Sequence, residues 1–272
     1  MQTGEKYGEK TIVIGGLVNG GAGRTPLVGW LAQQLQDSIV MSAGYARRRE
    51  GPNTRIGRPK TTPTYDLGDE LEMLRRRGHT VISDPKRDAA TSEFPNAPFV
   101  LIDGGLGDPR LESAYRIACI DGHSDHGAFP VGDRRLPWSA LSGADAICIR
   151  NPSPAIQLPP GIPVATVQLV PSHWIHRGKT YPLDAVSGPV DVAVGIAAPE
   201  RFVCTLLDMG LTVRSLKTVR DHGRLIALQS GAIVTEKDAA RLPPMTNVWA
   251  LAMRVEAAGF DPILKAIRDR SA

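Results

Sequence analysis

The sequence predicts an α/β protein: a parallel sheet flanked by helices, with a second, smaller α/β lobe. Three observations carry this. Short runs rich in β-branched residues alternate with stretches of helical apolar spacing along the 272 residues. The first such run, residues 11–14, leads through a glycine-dense turn into the helical spacing of Leu27, Trp30, Leu31 and Leu35. Five prolines between Asn151 and Pro163 then mark a boundary, so the chain divides into residues 1–155 and residues 156–272.

The opening strand, glycine turn and helix have the order of a phosphate cradle. Glycines let consecutive backbone N–H groups converge on an anion, and a helix N-terminus adds partial positive charge. The pattern G-x-x-x-x-G-K-[ST] of a P-loop is met only at Gly23 and Thr25; Val18 stands at the first glycine and Arg24 at the lysine. Thr25 is the expected hydroxyl ligand of Mg²⁺. The competing reading is an ordinary β-to-α turn.

Residues 38–42 read as the next strand. Arg47, Arg48 and Arg49 then open a polar segment reaching Asp66, either a solvated loop or a contact for phosphates or anionic headgroups. Residues 68–77 form a helix with acids first and bases last, as the macrodipole favours. Strands follow at 80–83 and 98–103, with a helical stretch from Lys86 between them. The second of these runs ends on Asp103, where a P-loop enzyme keeps its Mg²⁺-coordinating acid. Residues 116–121 and 144–149 supply two more strands. Beyond the prolines, residues 164–170 and 180–182 form a hairpin-like link. Strands at 190–196, 211–216, 232–235 and 247–253 then alternate with helices at 199–209, 222–229 and from Asp261, with a turn at Thr235-Glu-Lys-Asp.

Composition narrows the function classes. Apolar residues are 42% and charged residues 22%, as in a globular soluble chain. A net charge of +4 suits anionic ligands or an anionic membrane surface. Aromatics are 5% and are not interleaved with the basic residues, which argues against nucleic-acid binding. Cys119, Cys148 and Cys204 sit singly in apolar runs, the pattern of buried free thiols in a reducing cytosol. No apolar run reaches the roughly 18 residues of a membrane span.

Several stretches together resemble the tetraacyldisaccharide 4′-kinases of lipid A biosynthesis. The family loop Gly-Gly-Thr-Gly-Lys-Thr-Pro is similar to Gly20-Gly-Ala-Gly-Arg-Thr-Pro26. Ser-Arg-Gly-Tyr is similar to Ser42-Ala-Gly-Tyr45, Gly-Asp-Glu-Pro to Gly68-Asp-Glu-Leu71, and Asp-Asp-Gly-Phe-Gln-His to Asp103-Gly-Gly-Leu-Gly-Asp108. Gly195-Ile-Ala-Ala-Pro-Glu-Arg-Phe202, Asp221-His222 and Thr235-Glu-Lys-Asp-Ala239 keep the family's order and spacing.

The resemblance implies a P-loop kinase that moves the ATP γ-phosphate to the 4′-hydroxyl of a tetraacyl glucosamine disaccharide-1-phosphate. Gly20, Gly21, Ala22, Gly23, Arg24, Thr25 and Pro26 would cradle ATP. Thr25 and Asp103 would hold Mg²⁺, with Asp108 in place of the family's second acid, which is Gly104 here. Asp69 would be the catalytic base and His222 the histidine that orients it and carries the proton away. The enzyme would be a cytoplasmic monomer, peripheral at the cytosolic face of the inner membrane, without the family's usual N-terminal membrane-associated helix. A family relative that only binds nucleotide or glycolipid, and a P-loop kinase with another acceptor, are the alternatives.

Overall fold

A computed structural model describes residues 8–18, 22–44, 47–48, 50–87, 89–111, 113–122, 134–154, 156–221, 223, 225 and 228–270. In chain order the first half holds β1 (Thr11–Gly16), α1 (Arg24–Gln34), β2 (Ile39–Ser42), β3 (Arg55–Gly57), α2 (Asp69–Arg76), β4 (Thr80–Ser83), α3 (Ala89–Glu93), β5 (Val100–Asp103), β6 (Tyr115–Asp121) and β7 (Ala146–Arg150). The second half holds β8 (Val164–His176), β9 (Lys179–Tyr181), β10 (Pro189–Val194), α4 (Pro199–Asp208), β11 (Thr212–Thr218), β12 (Ala232–Thr235), α5 (Glu236–Ala240), β13 (Val248–Ala258) and α6 (Asp261–Arg270).

The predicted α/β class is the one observed. Among the described residues the strands join in the order β11-β10-β12-β13-β8-β7-β6-β1-β5-β2-β4-β3, with β9 folded onto β8. β1 lies between β5 and β6, parallel to both. Its residues alternate between two layers. Ile12 and Ile14 pack with α1 and α2 through Leu27, Leu31 and Leu74, while Val13 packs oppositely with Met41, Ile82 and Ala90. Both faces are covered, so the strand is apolar without a polar side, as buried parallel strands are.

The division expected after residue 155 falls between β7 and β8. β8 runs parallel to β7 over its first residues and antiparallel to β13 along nearly its whole length, so the sheet crosses from one half to the other. The expected hairpin is the β8–β9 turn, pairing Trp174 with Tyr181. α6 crosses back: Ile263, Leu264 and Ile267 pack in the same core as Ile12 and Leu27, and the rings of Trp30 and Phe260 lie 4.7 Å apart. Each of those side chains contributes about 1.5–3 kcal/mol by leaving water.

Several details differ from the sequence reading: the segment from Arg47 to Asp66 holds a strand, β3, and β8 runs on to His176. Gly223, Leu225, Leu228 and Gln229 are not helical; Leu225 and Leu228 instead insert into the layer of Val234 and Ala250. The Thr235-Glu-Lys-Asp turn opens a short helix, α5, because the Thr235 hydroxyl accepts from the Asp238 N–H and caps it. Cys119 and Cys148 are buried, but Cys204 lies exposed on α4. Among the described residues no helix is long and apolar enough to cross a membrane.

Candidate functional site

The register β1–β5 sets Asp103 beside Ile14, two residues before β1 ends at Gly16. The chain leaves β1, and α1 begins at Arg24 with Gly23 in the left-handed conformation before it. Thr25, in the first turn, points its hydroxyl back across this gap and donates to Asp103 Oδ2 at 2.8 Å. Both side chains are buried, at 9% and 7% exposure. Ala22 is buried beside them, Arg24 and Pro26 are half-buried, and Gly20 and Gly21 lie outside the described residues.

A hydroxyl and a carboxylate held together at a helix N-terminus are a donor set for a hard cation. Mg²⁺ takes one or two protein oxygens and completes its octahedron with water and phosphate oxygens, so the pair fits it. Asp108, the third expected ligand, is otherwise engaged. Its carboxylate takes a two-pronged contact from Arg110, at 2.9 and 2.6 Å, and lies 3.7 Å from Arg87. These guanidiniums, Arg110 foremost, hold its carboxyl below the usual range.

The facing wall comes from α2. Gly68 has φ 87° and ψ 155°, a conformation open only to glycine, and it turns the chain so that Asp69 enters the helix facing inward at 4% exposure. One oxygen of Asp69 accepts from the Glu70 N–H at 2.9 Å, and the other lies 3.4 Å from Arg241 Nε. Arg241 also donates to the carbonyls of Gly195 and Gly223 and to Asp238. His222, expected beside Asp69, lies outside the described residues. Its neighbours in sequence do reach this wall, Gly223 through Arg241 and Asp221 through Lys237 Nζ at 3.2 Å.

Sequence reasoning singled out neither Glu70 nor the cations Lys237 and Arg241. Lys237 Nζ sits 3.4 Å from Glu70 Oε1. Burial lowers the lysine's pKa, but the carboxylates of Glu70, Asp69 and Asp221 outweigh it and raise the net value, so it stays charged. The available signal was Thr235-Glu-Lys-Asp itself, a capping-box spacing that puts Lys237 in a helix's first turn and Arg241 at its end. The two helices are clasped further on, where Arg77 pairs with Glu236 and Arg76 donates to the carbonyls of Ala239, Ala240 and Leu242. A cavity of about 750 Å³ lies behind this clasp, walled by Trp30, Met73 and Leu242; Thr25, Asp69 and Asp103 take no part in it.

Burial, then the charge of Asp103, pushes the Glu70 carboxyl above its ordinary value of 4.5, against the pull of Lys237. A carboxyl raised in the folded state favours folding while it is protonated. That contribution is whole below pH 4.5 and is lost as pH climbs through the folded value. Glu70→Gln is therefore expected to raise the melting temperature at pH 7, by ~2–4 °C for each kcal/mol relieved. The gain shrinks as pH falls toward 4.5. Thermal unfolding at several pH values checks it, and a lower melting temperature at pH 7 would show that the Lys237 pair dominates.

Of the arginine run, Arg47 turns inward to Asn53 and Ser83, Arg48 is exposed, and Arg49 lies outside the described residues.

A sequence model of the LpxK family, tetraacyldisaccharide-1-P 4′-kinase, matches residues 1–270. The chain belongs to the LpxK family. Tetraacyldisaccharide 4′-kinase of Dechloromonas aromatica is 31% identical, over 95% of this chain and 84% of that protein. The Vibrio parahaemolyticus protein of the same name is 30% identical, over 99% of this chain and 86% of its own length. LpxK of Aquifex aeolicus, solved in complex with ATP, superposes with a TM-score of 0.82 at 21% identity, covering 96% of this chain and 88% of that one. The chain thus has the LpxK fold, and the Thr25–Asp103 pair lies at its β1–α1 junction.

Proposed function

We propose that this LpxK-family chain transfers the γ-phosphate of ATP to the 4′-hydroxyl of a tetraacyl glucosamine disaccharide-1-phosphate. The observation that carries the reading is the buried Thr25–Asp103 hydrogen bond at the β1–α1 junction, with a second buried carboxylate, Asp69, whose neighbour Glu70 feels the charges of both acids. Phosphoryl transfer needs little more of a protein than positioning and charge stabilisation. The N-terminus of α1 meets the phosphates, and Thr25 with Asp103 holds Mg²⁺. Bound Mg²⁺ supplies neutralisation of charge on the phosphate oxygens. Asp108 keeps its arginine partners and serves this site as their anchor.

On the other side, Asp69 accepts the proton of the attacking hydroxyl. Its two oxygens are held by the Glu70 N–H and by Arg241, which orients the carboxylate. His222 takes that proton onward. The disaccharide is presented from an anionic bilayer on the cytosolic side, where the chain binds peripherally as a monomer, with Arg48 among the exposed cations.

The test is transfer of labelled γ-phosphate to the tetraacyl disaccharide-1-phosphate by the parent, Asp69→Ala and His222→Ala. A fall of ~10²–10⁴ in kcat for each variant is expected from loss of general-base chemistry. A parent that binds Mg²⁺–ATP yet transfers nothing to this acceptor would replace the reading with a binding module or a kinase of another acceptor.

A further inference from the structure

Contacts of two kinds join α2 to α5. Toward the cavity, Arg77 pairs with Glu236 and Arg76 with Glu72, one cation to one acid, and Arg76 also donates to the carbonyls of Ala239 and Ala240. Toward Asp69 the balance is different. Lys237 Nζ lies 3.4 Å from Glu70 Oε1 on α2 and 3.2 Å from Asp221 Oδ1, which follows β11, and it also feels the charge of Asp69. One ammonium therefore gathers the first turn of α2, the first turn of α5 and the segment that leaves β11. The first of these belongs to one half of the chain, the other two to the second.

A lysine withdrawn to 18% side-chain exposure gives up much of its hydration, and an ion pair so placed is weak evidence of a gain in stability. What it supplies is charge at a fixed point. The described groups facing that point are Asp69 and Glu70 from α2, Asp221 after β11, Asp238 within α5 and Arg241 just beyond it. Asp103 of β5 and Arg24 of α1 act on it through Glu70. Arg241 is engaged by Asp238 and by the carbonyls of Gly195 and Gly223, and reaches Asp69 only through Nε at 3.4 Å. Lys237 is the cation that answers Asp69, Glu70 and Asp221 together.

We propose that Lys237 is a positioning residue for phosphate transfer, keeping the Asp69 carboxylate ionised and holding the second half of the chain against α2 where the proton is taken. The proposal rests on the reading of Asp69 as general base and deepens it. A carboxylate accepts a proton only while ionised, and each neighbouring acid, like each incoming phosphate, favours its protonated form; a nearby ammonium opposes them. The lysine acts through the carboxylates it touches.

The experiment measures kcat, and KM for ATP, as a function of pH in the full-length parent and in Lys237→Met, Lys237→Arg and Arg76→Gln. The last removes a cation from the same α2–α5 junction on the side away from Asp69. In Lys237→Met, kcat is expected to fall by ~10–10²-fold, with KM for ATP changed by less than about threefold. Its acid limb should move to higher pH by about one unit, because a carboxylate without its cation holds a proton longer. Lys237→Arg keeps the charge, so its limb should stay with the parent's and most of kcat should return. Arg76→Gln should move neither.

An unmoved limb in Lys237→Met overturns the proposal. So does an arginine variant as impaired as the methionine one, or an equal shift in Arg76→Gln. Lys237→Gln replaces Lys237→Met if circular dichroism shows that the latter does not fold; failure of both to fold assigns the lysine to the architecture and overturns the proposal as well. A parent that transfers phosphate with no acid limb overturns it while leaving the kinase in place. A parent that transfers nothing to the disaccharide overturns both.

Discussion

Replacing Asp103 with alanine is expected to lower phosphate transfer by ~10³-fold or more, the cost of losing a group that stabilises charge in a water-poor site. The carboxylate does two things at once. It accepts from the Thr25 hydroxyl at 2.8 Å, which fixes the first turn of α1, and in the proposed mechanism it would also hold Mg²⁺. Asp103→Asn separates them: the amide oxygen still accepts from Thr25, but the charge is gone. Both variants should therefore lose transfer, while only the alanine variant should also loosen α1. Transfer kinetics over a Mg²⁺ series, with hydrogen exchange along residues 24–34, distinguishes the two. An asparagine variant that works as well as the parent would remove Asp103 from the metal site.

The second large effect concerns stability. Asp238 has 0% exposure, and its carboxylate accepts from the Gly195 N–H at 3.1 Å, the Thr235 hydroxyl at 2.7 Å and Arg241 Nη2 at 2.6 Å. Burial pushes its carboxyl up, opposed by those bonds from Thr235 and Gly195. Asp238→Ala leaves the Gly195 N–H and part of the Arg241 guanidinium without their partner in a buried place. Breaking such a cluster from one side costs ~3–5 kcal/mol. Urea unfolding should show the midpoint falling with little change in slope. Because Arg241 also touches Asp69, transfer by the folded variant should fall as well. A stability loss under ~1 kcal/mol would mean that water replaces the carboxylate.

Much of the fold was legible because its signals are local. Thr11 to Ile14 are apolar or β-branched and buried, and β4 and β12 begin and end where their apolar runs do. Asp103 was legible for the same reason, as an acid closing a buried run. α5 was not, since five residues carry no helical period and only the Thr235 cap betrays it. The pairing of Glu70 with Lys237, or of Asp69 with Arg241, joins the two halves of the chain, and no spacing rule reaches across them.

The return of α6 to the first core also governs how the molecule comes into being. A chain made from its N-terminal end exposes the apolar stripe of Leu27 and Leu31 long before Ile263 and Ile267 exist to cover part of it. The first half therefore cannot mature as a finished unit while the remainder is still being synthesised. Closing the contact spans most of the sequence, a separation that slows folding and lengthens the interval in which bare apolar surface invites aggregation. In return, α6 ties the two halves of the chain into one cooperative unit, so that opening β13 and α6 strips the layer beside β1 and α1 too.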